Sequence, residues 1–292
     1  MKRVYPDNTP VLTDGFYMDL EMDRYHEDPA LSKSGAVKLS RSPLAYFLDR
    51  IEAEDKAKDH LDLGSLAHAM ILQPDKTEQM FKVIPADVLS KSGSRAGNKY
   101  KEWAAALPPK ATAVLQQTFD AARRIRDNIH VNPEHEKASI LCSGHTEVSF
   151  FYTDSIYNGI RKKVRPDAMP GGSILTDLKT ARSAEFWAFG AQAFNLKYHW
   201  SAAMSLEIVS AVTGAKYDEY YFVVVENELP FDVQIFKPEP IHITMAQDDL
   251  YQIYSNYEEC YFNNLWPGYP NDVQPLFFSS KAMRSWQPRE YI

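Results

Sequence analysis

Apolar positions along this chain keep two different periods, and the change between them divides it. From residue 31 to about 130 they recur at helical spacing. Ala36, Leu39, Leu44, Tyr46 and Phe47 open this region, with Ser32 or Ser34 as a helix N-cap and Pro43 as the start of a second helix. Residues 62–72 predict a buried helix with His68 as the titratable group in its middle. Residues 75–96 predict a strand plus loop, or a loop alone, ending in the basic stretch Ser90 to Gly97. Residues 98–129 predict helix, broken at Pro108-Pro109 and amphipathic over 111–128.

From His145 the period becomes two. Residues 146–152, 157–165 and 174–178 predict a β-meander. Residues 183–213 return to helix, with Gly214 as its C-cap. Residues 217–225 and 231–237 predict two more strands, the first so continuously apolar that it belongs at the centre of a sheet. A last helix is expected over 245–263, then a proline-rich tail over 266–292. Residues 1–30 predict irregular, partly extended chain. This order describes an α/β (α+β) protein with a central mixed β-sheet flanked by helices. Without a linker signal, residues 1–292 read as one domain, with a helical part to about 140, a core over about 141–265 and a tail.

Composition adds exclusions. The 292 residues carry a net charge of −7, so nucleic acid is not bound by indiscriminate attraction, and an anionic partner needs a local basic patch. Two distant cysteines, Cys142 and Cys260, supply neither a disulfide framework nor an iron–sulfur set, which points to a reducing cytoplasm. No apolar leader and no membrane-length run is visible, so no membrane partner is expected. GxSxG, HExxH, P-loop and dinucleotide-binding glycine patterns are missing.

The candidate chemistry lies around the turn Pro170-Gly171-Gly172. Asp167 precedes it and Asp177-Leu178-Lys179 follows. Alternation along a strand turns Asp177 and Lys179 to one face and Leu178 to a core on the other. Two carboxylates and an ammonium on one side of a hairpin are costly unless something binds there, and a divalent metal is the simplest candidate. Asp167, Asp177 and the Leu178 carbonyl can ligate it, and Lys179 can orient water or stabilise developing charge. Arg161, Lys163 and Arg165 lie one strand away and offer phosphates a local attraction, or form a solvated strand face. Ser32 and Ser34, with Lys33, Lys38 and Arg41, could hold a phosphate at a helix start, or the serines merely cap. A lone histidine such as His68 is usually a core residue, and becomes a metal ligand when acids stand beside it.

The pair Arg165-Pro166-Asp167 and Asp177-x-Lys179 resembles the PD-(D/E)xK nuclease motif. Together with Leu31-Ser32-Lys33-Ser34 before Pro43-x-x-Tyr46, Gly64-x-x-x-His68, Tyr25-His26, Leu61-Asp62, Glu147 and Tyr198-His199, it is similar to the exonuclease VIII (RecE) branch carried by phages and prophages, over about residues 15–266. The resemblance implies a restriction-endonuclease-like core with an N-terminal helical region. It implies a 5′→3′ exonuclease that degrades one strand of linear double-stranded DNA and leaves 3′ tails. His68, Asp167, Asp177 and Leu178 would bind Mg²⁺, two ions, with Mn²⁺ as a substitute. Lys179 would be the catalytic lysine, with Glu147 beside the site. Ser32 and Ser34 would hold DNA phosphate. The implied partners are DNA ends, a single-strand annealing protein of the RecT or beta type, and further copies of the chain in a homo-oligomeric ring, in the cytoplasm of a bacterial host. Ser201 and Ser205 stand where relatives carry a Gln-x-x-x-Tyr pattern. A nuclease of the same fold with other polarity or endonucleolytic action, and a non-catalytic DNA-end-binding module, are the alternatives.

Overall fold

The computed structural model describes residues 10–51, 63–90, 92–157 and 159–277. The strands are β1 Gly15–Tyr17, β2 Phe81–Val83, β3 Thr112–Val114, β4 His145–Thr146, β5 Ser149–Asp154, β6 Ile160–Val164, β7 Ala168–Gly171, β8 Ile174–Ala181, β9 Glu219–Glu226 and β10 Val233–Phe236. The helices are α1 Met22–Glu27, α2 Lys33–Arg41, α3 Pro43–Ile51, α4 Leu63–Leu72, α5 Pro74–Met80, α6 Asn98–Ala105, α7 Gln116–His130, α8 Glu136–Leu141, α9 Phe186–Asn195, α10 Tyr198–Thr213 and α11 Pro240–Asn263.

The main sheet has the order β10-β9-β8-β7-β4. It is mixed, because β8 and β9 run parallel while its other pairs are antiparallel. β9 is apolar without interruption from Tyr220 to Val225 because both of its faces are covered there. Tyr220, Phe222 and Val224 enter a core shared with α10 and α11, whereas Val223 and Val225 enter a second core with α4, α7 and α8. β8 divides in the same way, with Leu175 and Ala181 in the first core and Leu178 in the second. Alternation therefore puts Asp177 and Lys179 on the α10 side, between Leu175 and Ala181.

The expected helix signals act as caps. The Ser32 hydroxyl accepts the Gly35 N–H at 3.2 Å at the start of α2. Pro43 begins α3, and Gly214 ends α10 in a left-handed conformation.

Other elements differ from expectation. The strands after His145 are not one meander. β5 and β6 form a separate sheet of order β1-β5-β6, and β4, β7 and β8 belong to the main sheet. The chain changes sheets at Glu147, whose φ of 56° takes it out of any strand. Residues 183–213 divide into α9 and α10 at Lys197, also left-handed. α11 starts at Pro240, ahead of residue 245, because proline suits a first helical turn. Residues 10–30 hold β1 and α1, and the region after residue 75 begins with α5 before a parallel pairing of β2 with β3. The tail returns over α3, where Trp266 stacks on Phe47 with centroids 5.6 Å apart. Leu61, Asp62 and residues 278–292 lie outside the described residues. Among the described residues, no helix is long and apolar enough to cross a membrane.

Candidate active site

The hairpin of β7 and β8 brings its acids together as its turn requires. Gly171 and Gly172 take φ values of 117° and 62°, open to glycine and strained for other residues. The N–H of Asp167, just before β7, donates to the Thr176 carbonyl on β8 at 3.1 Å. The N–H of Leu178 donates to Asp167 Oδ2 at 2.6 Å, which fixes that carboxylate against β8.

α4 lies against β8 and supplies His68 from across the second core. Its Nε2 is 3.2 Å from Asp167 Oδ2 and its Nδ1 is 3.4 Å from Glu147 Oε1. One ligand atom each from His68, Glu147 and Asp167 can be drawn within 4.8 Å of one another. Glu147 reaches this cluster because of its left-handed backbone, and Arg165 Nε holds its other oxygen at 2.6 Å. Asp177 is not in the three-residue cluster. Its carboxylate binds Lys179 Nζ on one oxygen and accepts from the Tyr220 hydroxyl, at 3.3 Å, on the other.

The protonation balance shows a site oversupplied with acid. Burial opposes charge on His68, but the Asp167 carboxylate and then Glu147 hold its pKa up to about 9. Burial opposes charge on the half-buried Asp167 too, yet His68 and Lys179 keep it well below the usual carboxylate range. Burial raises Asp177 to about 7, against Lys179 and with the help of Asp167. Burial and the Asp167 charge also raise Glu147. The proton on His68 stands where a cation would balance two carboxylates. One imidazole and two carboxylates form a donor set suited to a hard or borderline divalent ion.

Two further side chains adjoin the site: Lys33, expected only as a phosphate support at a helix start, and Tyr220, which the sequence did not mark. Lys33, the first residue of α2, donates to the Leu196 carbonyl at 2.6 Å. Burial and the neighbouring Lys179 lower it to about 8, opposed by Asp177. The ring of Tyr198 lies 5.3 Å from Lys179 Nζ and 5.4 Å from Lys33 Nζ. Tyr220 is the other, hidden in an apolar strand where only its hydroxyl distinguishes it. Ser205, one of the serines replacing the glutamine pattern, is buried beside that hydroxyl.

Two members of the expected phosphate-binding set, Arg161 and Lys163, are corrected. Arg161 donates to both oxygens of Asp28, at 2.7 and 2.6 Å, and to Asp14 at 3.0 Å. Lys163 is 4% exposed and donates to the carbonyls of Tyr25 and Asp28, each at 2.6 Å. Both fasten residues 12–28 to β6, so neither offers a free charge to DNA. Arg165 lines the cleft, but it is occupied with Glu147 and the Leu20 carbonyl. Arg41 sits in the last turn of α2, while Ser32 and Ser34 share its start with hydroxyls 3.0 Å apart. At the helical rise, nine residues separate Arg41 from Ser32 by about 13 Å along the axis. A cleft of about 1150 Å³ opens onto His68, Glu147, Arg165 and Lys179.

A family described as a PDDEXK-like domain of unknown function (DUF3799) matches residues 32–275. A crystal structure of a candidate exonuclease from Eubacterium rectale superposes with a TM-score of 0.54 at 15% identity, over 92% of this chain and 99% of that one. At that identity the likeness speaks to the fold alone. The structure of SSO0001 aligns over 64% of this chain and 85% of its own at 17% identity, and its TM-score of 0.26 carries no argument. No curated protein matches the sequence.

Proposed function

Because the chain belongs to the PDDEXK-like domain family DUF3799, we propose that it is a metal-dependent nuclease acting on linear double-stranded DNA. The observation that carries this reading is the convergence of His68, Glu147 and Asp167 beside the Asp177–Lys179 pair, with His68, Glu147 and Lys179 lining one cleft. His68, Glu147 and Asp167 would hold Mg²⁺ or Mn²⁺. Asp167 also adjoins Asp177, whose carboxylate would be a further donor for a second ion. The bound metal supplies an activated water and charge neutralisation at the phosphate.

The remaining work falls to this chain's own groups. The Leu178 N–H and Arg165 hold Asp167 and Glu147 in place. Lys179, kept protonated by Asp177 and Asp167, presents a fixed cation for a non-bridging phosphate oxygen. Asp177, poised near neutrality, positions that ammonium and can exchange a proton with water. The finer reading is 5′→3′ exonuclease action that leaves 3′ tails for a single-strand annealing protein, with copies of the chain closed into a ring around DNA. Its support is the motif set of the RecE branch.

Linear duplex labelled at either 5′ or 3′ end, incubated with Mg²⁺ or with chelator, tests the proposal. Mg²⁺-dependent release of 5′ nucleotides from linear but not closed circular DNA is expected, with light scattering reporting an oligomer. Release from 3′ ends would reverse the polarity, and nicking of circles would replace exonucleolytic with endonucleolytic action. End binding without cleavage under any divalent metal would leave only a binding module.

A further inference from the structure

The cleft that opens on His68 and Lys179 is flanked farther out by two walls of opposite charge. Aside from Glu147, every acidic residue lining it comes from one short stretch, as Asp19, Glu21 and Asp23. Lys76 of α5 and Lys110, just before β3, stand opposite. The walls are tied by ion pairs. Asp19 Oδ1 is 2.8 Å from Lys76 Nζ, Glu21 Oε2 is 3.2 Å from Lys110 Nζ, and Asp23 Oδ2 is 2.6 Å from the same nitrogen.

These pairs are not structural staples of the kind that Arg161 makes with Asp28. The acidic side chains are 81%, 72% and 61% exposed, and exposed pairs contribute little to stability. The backbone between them is fixed separately, because Arg165 Nη1 donates to the Leu20 carbonyl at 3.0 Å while its Nε holds Glu147. The acids can therefore rotate off the lysines without moving the chain. When they do, Lys110 and Lys76 are left as free cations along the cleft that leads to Lys179, past Arg165, which stays held by Glu147.

We propose that Lys76 and Lys110 are phosphate contacts for the DNA strand in this cleft, and that Asp19, Glu21 and Asp23 serve as built-in counter-ions which its phosphates displace. The inference rests on the nuclease reading and adds a strand path to it. The counter-ions keep an otherwise basic cleft neutral until a polyanion with regularly spaced charges competes for both lysines together. An isolated anion reaches one lysine at a time and displaces poorly.

The test is equilibrium binding of a fluorescent 20-nucleotide single strand to the full chain in chelator, over a series of salt concentrations. The triple variant Asp19→Asn, Glu21→Gln, Asp23→Asn should bind about tenfold tighter. Its log–log salt slope should steepen by roughly 1.4, since two lysines then release solution counter-ions in place of carboxylates. Adding Lys76→Ala and Lys110→Ala to that variant should remove both gains. A control neutralising Glu134, Asp248 and Glu259 has the same net charge and should show neither. Equal tightening in the control, or an unchanged slope in the triple variant, overturns the counter-ion role. Metal-dependent cleavage by the unaltered protein, measured in parallel, keeps the two readings separate. If cleavage persists while the variants behave alike, only the strand path is wrong; if the unaltered protein neither binds nor cuts DNA, both fall.

Discussion

Lys179 is partly buried, its side chain 24% exposed, and it stays charged because Asp177, Asp167 and the face of Tyr198 lie beside it. Such a cation cannot be replaced by solvent. Lys179→Ala is expected to lower the cleavage rate by about 10²–10³-fold, the range for loss of one fixed electrostatic group. Circular dichroism should remain that of the unaltered protein, and robust turnover by this variant would remove Lys179 from the mechanism. His68 makes a second, pH-dependent statement. Its folded pKa of about 9 exceeds its ordinary value of 6.5, so in metal-free protein its contribution is complete below 6.5 and is lost as pH rises through 9. Asp177 acts in the same direction at lower pH, since its carboxyl holds a proton to about 7 in the folded state. In chelator the melting temperature should therefore fall between pH 6.5 and 9, and His68→Gln should flatten that fall. With Mg²⁺ the slope should lessen or reverse, because the ion competes with the proton on His68. A metal-free melting temperature that rises with pH would contradict this account.

At the level of elements, the site depends on how β4 meets β7. Gly144 immediately precedes β4 with φ of +81°, and a Cβ there would lie 2.2 Å from the Met169 carbonyl oxygen. Nothing larger fits without moving β4 off β7, and that junction positions both Glu147 and Asp167. Gly144→Ala should destabilise the protein by about 2 kcal/mol or more, from left-handed strain plus a backbone clash. Chemical denaturation would measure the loss, and metal affinity should weaken with it. A neutral effect would mean that the β4–β7 junction does not position these acids. The sequence foretold the caps of α2, α3 and α10 because each is a local arrangement of a few residues. It also foretold the hairpin, since a diglycine turn and alternation are local too. It misplaced the split of β5 and β6 into a second sheet. Both partners look the same from inside a period-two segment, and the decision is made by β1, more than one hundred residues away in sequence.

Across the whole molecule the chain carries a net charge of −7, and among the described residues several of its basic groups are answered by acids or carbonyls close by. Arg161 and Lys163 serve the N-terminal strip, Lys162 is fully buried with Asp154 and Glu207, and Lys76 and Lys110 face Asp19, Glu21 and Asp23. Counting charges along the sequence made 161–165 look like a phosphate surface, because a run of cations is visible there and its partners are not. The PDDEXK-like family and the hairpin were legible in the sequence alone, since turn chemistry, strand alternation and the Asp-x-Lys spacing all act within about fifteen residues. Which acid joins His68 was decided only by tertiary structure. Glu147 enters the cluster through a left-handed residue at a sheet change, and Asp177 turns instead to Lys179 and Tyr220. Packing of α4 against β8 sets those distances, and no local rule of sequence carries the position of one element relative to another.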